Sequence, residues 1–484
     1  MTNGRQTVHY LILLLIAISF VTIISTSTSP LYLYVENLDS QVFQLIGKYW
    51  AKGHVPYVDL WDQKGPIIYF INAIGFWATG TKTGVYLIQI LCLYADLLIL
   101  YRIFHRRLFW QNTWTTLCIF VFALAQLYGG GNGVEEYLLP FLILGFYAQY
   151  KWINTFSSDG KAKHPFIHAA LYGFILAFSL LTRLTNALGI CAGVAFIGIV
   201  LIWKREWKNL AYNIISFVLG FAILFVPFAV YFHMHDAFGE MWYATILFNI
   251  EYASNASNIV TTKSFLLNLI SPLCAYFLIT TAVILGIKRK YMKCLFYLTI
   301  TTVPLLWILS SNGFAHYSLI CIPYFMIAII EIASLKGRGN TPWIQVAFSS
   351  LIFICCTFVY ARNIHKGYFY SSCEKDVVFY KTFIDKIPEE ERDSFIAYNI
   401  RPFIYLYNDI RPAVRFFCIQ DFYRSNSKSI DVKLKETFRN HSPLWIMEKD
   451  GKCSYLDAII QGRYVEVYAE DYDDRRYILK KRIR

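Results

Sequence analysis

A succession of apolar runs, each close to the length of a bilayer-crossing helix and set off by short polar loops, leaves this chain few folds other than a helical membrane bundle. Spans are expected at Tyr10–Thr28, Gly84–Phe104, Asn112–Tyr128, Val134–Tyr150, Phe166–Leu181, Ala187–Trp203, Leu210–Phe232, Phe265–Ile287, Cys294–Leu309, Ala315–Leu335 and Trp343–Tyr360. The length rule thus counts about eleven of them. Hydrophobic residues make up 56% of the chain and aromatics 18%, and the mean hydropathy is +0.42. Both place it in the polytopic membrane class, with Trp and Tyr at the interfaces. The formal charge of +13 does not indicate nucleic acid, because the basic residues fall in clusters between apolar spans, where orientation needs them.

Those clusters set the expected topology. Pro66–Thr79 is apolar but short, and Lys64 and Lys82 flank it. Kept at the surface as an interfacial helix, it lets Arg5, His105–Arg107, Lys151, Lys161, Lys163, Lys204, Arg205, Lys208, Lys288–Lys290, Lys293, Lys336 and Arg338 share one side. The opposite loops are then nearly free of Lys and Arg, which is the positive-inside pattern. The reading is an N-terminus in the cytoplasm, a first outer loop over 29–83, and a tail outside the cytosol. Tyr10–Ile24 lacks a small-residue cleavage site and reads as a signal anchor of a plasma (inner) membrane protein. Most of the 11 cysteines lie in spans and read as packing residues.

After Arg362 charge rises and apolar runs shorten. Ser394–Tyr398, Ala413–Phe417, Leu444–Glu448, Val465–Tyr468 and Tyr477–Leu479 predict strands, and Asp376–Lys386, Pro402–Asn408 and Ser454–Gln461 predict helices. The expected fold is therefore an all-α polytopic membrane domain over 1–362, with a small extracytoplasmic α/β domain over 363–484.

Several polar groups gather at the outer ends of the spans: Asp39, then Asp59, Asp62, Gln63 and Lys64, then Glu135 and Glu136, then Arg183, then His316 and Tyr317. Ionisable groups at the edge of a bilayer are expensive unless paired or hydrated, so their grouping predicts a wet cavity opening outward. Such a cavity suits a lipid-linked sugar. Cleaving the sugar–oxygen bond leaves negative charge on the phosphate, which a Lys or Arg stabilises, while a carboxylate takes the proton of the attacking hydroxyl. Asp39 with Lys64 and Arg183 supplies both parts. Each residue also has a structural reading. Asp39 suits the cap of a helix over Ser40–Trp50, and Asp59 and Asp62 suit turns. Lys64 and Arg183 suit snorkelling, Glu135 and Glu136 a helix start, and His316–Tyr317 an interfacial aromatic pair. Asp96 lies inside a span and calls for a partner on a neighbouring helix.

The run Asp39–Phe43, then Gly53, Pro56, Tyr57 and Asp59, then Lys64–Pro66 and Tyr69, resembles the first outer loop of the GT-C membrane glycosyltransferases. It is most similar to the bacterial branch related to protein O-mannosyltransferases and lipid A aminoarabinose transferases. Glu135–Glu136, Thr182–Thr185, Asn249–Tyr252 and His316–Tyr317 before Pro323 extend the resemblance over about residues 9–360. It implies a polyprenyl-phosphate sugar donor, inverting transfer to an extracytoplasmic glycan, lipid or protein, Asp39 as the base and Lys64 at the lipid phosphate. Ser40 stands where the family often has a second acid, and Gln63 where it often has Glu. Some members use a divalent cation; no residue set here demands a metal or other cofactor. The alternative is a flippase for lipid-linked saccharides, which should show internal symmetry and mid-membrane polar sites. A polymerase or ligase of another membrane fold would also use the outer face, but lacks the early Asp–Lys loop.

Overall fold

A computed structural model describes residues 3–35, 37–108, 110–255, 262–311, 314–336, 372–440, 442–449 and 454–483. The helices, in order, are α1 (Asn3–Ile24), α2 (Leu38–Ala51), α3 (Pro66–Thr79), α4 (Lys82–Arg107), α5 (Trp110–Leu127), α6 (Val134–Asp159), α7 (Phe166–Leu180) and α8 (Leu188–Trp203). They continue with α9 (Trp207–Met234), α10 (Phe238–Trp242), α11 (Phe248–Asn255), α12 (Thr262–Ile270), α13 (Leu273–Ile287), α14 (Tyr291–Leu309) and α15 (Ile322–Lys336). The expected span Trp343–Tyr360 lies outside the described residues. By length and composition, six helical stretches among the described residues can cross a membrane: Gln6–Ile24, Lys82–Arg107, Leu184–Trp203, Trp207–Met234, Tyr291–Leu309 and Ala315–Ser334. Asn112–Leu127, Phe166–Leu180 and Leu273–Ile287 are apolar but shorter.

The expected span Phe265–Ile287 is not continuous. It breaks between α12 and α13 at Ser271–Pro272, because proline lacks an N–H and disfavours helical geometry in the residue before it. The Ser271 hydroxyl is used at the break, 2.7 Å from that of Ser318.

The chain divides into two compact units, formed by residues 1–25, 87–229 and 258–365, and by residues 26–86, 230–257 and 366–484. In the first, α7 and α9 approach closely: a Cβ on Gly220 would collide with the Ala170 carbonyl, and one on Gly173 with that of Phe217. Small residues at helix crossings allow this in membrane bundles, where van der Waals contact replaces the hydrophobic drive.

In the second unit α2 and α3 form a helical hairpin. At 14 residues, α3 spans roughly 21 Å, short of the ~30 Å hydrocarbon core. Pro66 opens it and Gly80, at φ +71, ends it in the left-handed conformation. Gly47 of α2 lies against Asn72 and Ala73 of α3, its would-be Cβ 2.8 Å from the Ala73 nitrogen.

The tail carries a four-stranded sheet of β1 (Phe395–Tyr398), β2 (Trp445–Lys449), β3 (Tyr464–Tyr472) and β4 (Arg475–Arg482), in the order β1-β2-β4-β3. β1 and β2 are parallel, aligned Phe395 to Trp445, and β4 is antiparallel to both β2 and β3. Asp473 and Asp474 join β3 to β4 with positive φ at both positions, as a two-residue type I′ turn requires. Ala413–Phe417, expected as a strand, is not one: it makes single backbone bonds outward, from Ala413 N–H to Phe395 O and from Trp61 N–H to Arg415 O. The helix Lys428–Asn440 was not expected, although Ile430, Leu434 and Phe438 form its buried stripe at helical spacing.

Candidate active site

The loop between α1 and α4 belongs to the second unit, together with residues 230–257 and the tail. Asn37, not Asp39, caps α2: its side chain accepts from the Ser40 N–H at 3.1 Å. Asp39 therefore sits within the first turn, exposed. Among the described residues it forms no hydrogen bond or ion pair, and negative charge is favourable at that helix end.

The other loop acids are committed. Asp59 accepts from Val55 N–H at 2.7 Å and lies 3.6 Å from His54 Nδ1, so it closes a local turn. Asp62 is buried, at 4% exposure. Its Oδ2 accepts from the Tyr69 hydroxyl at 2.6 Å and its Oδ1 from the Tyr423 hydroxyl at 2.8 Å. Burial, reinforced by the Asp62 charge, pushes both phenols well above their ordinary range, so each keeps the proton it donates. These commitments make Asp59 and Asp62 poor ligands for a divalent cation. Among the described residues no group of three His, Cys, Asp or Glu side chains is placed to hold a metal.

Lys64 follows on this anchored acid. Its N–H lies 3.4 Å from Asp62 Oδ2 and 3.2 Å from the Tyr69 hydroxyl, and its carbonyl accepts from the Tyr57 hydroxyl at 2.8 Å. Tyr57 holds φ at +70 while fully buried, an unfavourable conformation for a bulky residue. The tyrosine–carbonyl bond ties that strained turn to Lys64. Gln63 passes its carbonyl to the Asn249 amide at 2.9 Å. Trp61 is clasped by Phe248, Phe416 and Tyr423 with ring centroids 5.3, 5.4 and 4.8 Å away. The neighbouring thiol, Cys418, is pushed well above its ordinary range by burial, with the Asp62 and Asp39 charges adding to it; it is a packed thiol rather than a nucleophile.

The remaining expected residues lie in the first unit. Arg183 precedes the 3-10 turn Leu184–Ala187. Its Nη1 is 3.2 Å from Glu135 Oε1, and its guanidinium lies 3.5 Å over the Tyr317 ring and 5.1 Å over that of Trp307. Glu135 is 3% exposed, so the pair is a shielded one, with the cation also stacked on aromatic faces. His316 and Tyr317 open the 3-10 segment Ala315–Cys321, their rings 4.7 Å apart at 89°. Glu136 points elsewhere than Glu135, its Oε1 accepting from Gln89 Nε2 at 2.9 Å.

Tyr423 is the functional-site candidate that the sequence does not announce; Tyr69 already stands in the loop pattern, but not its bond to Asp62. Tyr423 meets Asp62 across 361 residues, and no local pattern marks it.

Residues 3–340 match the competence-induced Ccs4 N-terminal domain. No curated protein sequence matches the chain. Among solved structures, ArnT from Cupriavidus metallidurans in the apo state superposes with a TM-score of 0.58 at 12% identity, covering 99% of this chain and 98% of that one. ArnT from the same organism bound to undecaprenyl phosphate gives a TM-score of 0.56 at 13% identity, with the same coverage. The fold is thus ArnT-like, an all-α membrane domain with a small C-terminal α/β domain, and with its apolar helices the chain is a multi-pass membrane protein.

Proposed function

The chain belongs to the competence-induced Ccs4 N-terminal domain family, and from its ArnT-like fold we propose that it is a membrane glycosyltransferase. It moves a sugar from a polyprenyl-phosphate donor to an acceptor outside the cytosol, a glycan, lipid or protein. It sits in the cytoplasmic (inner) membrane with its N-terminus inside and its tail domain outside.

The observation that carries this reading is the division of labour among the loop carboxylates. Asp59 and Asp62 are bound up in turns and tyrosine bonds, whereas Asp39 is exposed and, among the described residues, uncommitted. In the proposed reaction the acceptor oxygen attacks the anomeric carbon from the face opposite the phosphate. Asp39 takes the hydroxyl proton, and the sugar–oxygen bond breaks with its electron pair passing to the phosphate. The configuration at the anomeric carbon inverts. Lys64 stands at the start of α3, where its charge and the helix dipole both favour a phosphate. Arg183 is the second proposed phosphate contact, its charge already partly offset by Glu135. Gln63, Asp59, Asp62, Glu135, His316 and Tyr317 are proposed as substrate contacts or as support for these groups, whereas Glu136 turns to Gln89.

The test is turnover of a labelled polyprenyl-phosphate sugar by the purified chain. Asp39→Asn should lower turnover by about 100- to 10,000-fold, the range of a general base, while donor binding persists. Near-normal turnover by Asp39→Asn removes that residue from the chemistry. Movement of intact donor across liposomes without bond cleavage overturns the transferase in favour of a flippase.

A further inference from the structure

Within the first unit, two carboxyl groups face one small void. Asp96, in the middle of α4, is 2% exposed, and Glu136, in the first turn of α6, is 6% exposed. Both line a cavity of about 10 Å³, together with Gln89, Cys92, Tyr128 and three leucines. The two groups interact electrostatically. One oxygen of each, Asp96 Oδ1 and Glu136 Oε2, is buried without a hydrogen-bond partner. Among the described residues lining the void there is no Lys, Arg or His.

The void is matched to one occupant. A cavity of roughly 10–15 Å³ holds a single water. Gln89 cannot turn its oxygen toward it: that oxygen accepts from Ser25 Oγ at 3.2 Å, while its Nε2 serves Glu136 Oε1 at 2.9 Å and the Tyr128 hydroxyl at 3.2 Å. Gly131 closes the network. It has φ +82, and a Cβ there would collide with Ser25 Oγ and lie 2.9 Å from Gln89 Nε2. The oxygens left to a guest are those of two carboxyls and one phenol, short of the six to eight that surround Ca2+, and a one-water void has no room for the several waters that Mg2+ keeps. Two ionised carboxylates side by side in a membrane-spanning bundle would repel each other and forfeit hydration together.

We infer that Asp96 and Glu136 form a proton-binding pair that shares one proton through a single water held in this cavity. The other titratable groups facing the pair are Cys92, Tyr128 and Tyr137, none of them a cation. The arrangement also explains how adjacent acids coexist in the first turn of α6: Glu135 is offset by Arg183, and Glu136 by the shared proton. The structural role of Asp96 follows from that of its partner.

Infrared spectra of the purified full chain in lipid bilayers test the pair. At neutral pH the wild type should show a carboxylic-acid carbonyl band that shifts in deuterated water. Asp96→Asn and Glu136→Gln should each shift that band, since each variant removes one of the two groups between which the proton is shared. A wild-type spectrum without the band overturns the inference whether or not the variants fold. A band left unmoved by either variant places the proton on the other residue and overturns the sharing. A melting temperature that rises when sodium replaces choline, and that no longer responds in Asp96→Asn, shows a metal cation in the void and overturns it too.

Discussion

Tyr423→Phe deletes the hydroxyl that reaches Asp62 Oδ1 at 2.8 Å but keeps the ring packed edge-on against Trp61 at 4.8 Å. Asp62 is 4% exposed, so bulk water cannot replace the lost donor. A hydrogen bond to a charged acceptor contributes about 1.5–3 kcal/mol, which corresponds to a rise of about 10- to 150-fold in the local opening equilibrium. The reporter is the amide of Trp61, which donates to Arg415 O at 2.8 Å beside the anchored acid. Hydrogen exchange at that amide, measured where reclosing is fast, reads the opening free energy directly. The decisive comparison is made in an Asp62→Ala background. There the Tyr423 hydroxyl is itself a buried orphan, and removing it should leave exchange unchanged or slow it. Equal acceleration by Tyr423→Phe in both backgrounds refutes a stabilising role for the Tyr423–Asp62 bond.

Lys64→Ala should lower kcat/KM for the lipid-linked donor by about 10- to 150-fold, the loss of one charge-assisted contact, and Lys64→Arg should recover part of it; steady-state kinetics over donor concentration measure both. Gly47→Val should destabilise the α2–α3 hairpin by about 1–3 kcal/mol, because the new side chain has no room against Asn72 and Ala73; denaturant unfolding checks it. Asp409 is held below the ordinary carboxylate range by its hydrogen bond to Lys48, at 2.8 Å, with the Lys48 and Lys52 charges assisting. A depressed folded value means the stabilisation is present above about pH 3.9 and is lost as pH falls through the folded value. Asp409→Asn should remove that acid-sensitive increment, which is small because the group is largely exposed; melting curves across the acid range compare the two.

Much of the fold was legible because its causes are local. Apolar length announces membrane helices, and Pro66 and Gly80 bracket α3. Other local signals were present and outweighed. Asn37 stands three residues before Ser40 as a cap should, yet Asp39 invites the same reading. Pro272 marks a break inside a run whose length alone suggests one span. Ile430, Leu434 and Phe438 carry a helix period in a stretch too charged to draw notice. Ala413–Phe417 has strand composition, but its backbone bonds go to Phe395 and Trp61 rather than into a ladder.

Sequence by itself determined the class of this protein: a run this apolar ahead of Arg362, with most of its charge in short loops, satisfies its backbone within helices. It also named the acids and the lysine of the loop between α1 and α4. Only the tertiary structure decided which of those acids is occupied, because occupation depends on partners the chain brings from far away. Asp62 is held by Tyr423 from 361 residues downstream, Arg183 by Glu135 from 48 residues upstream, and Asp96 meets Glu136 only where α4 packs on α6 around a water-sized void. Hydrogen bonds and ion pairs act over a few ångströms of space, whatever the distance along the chain.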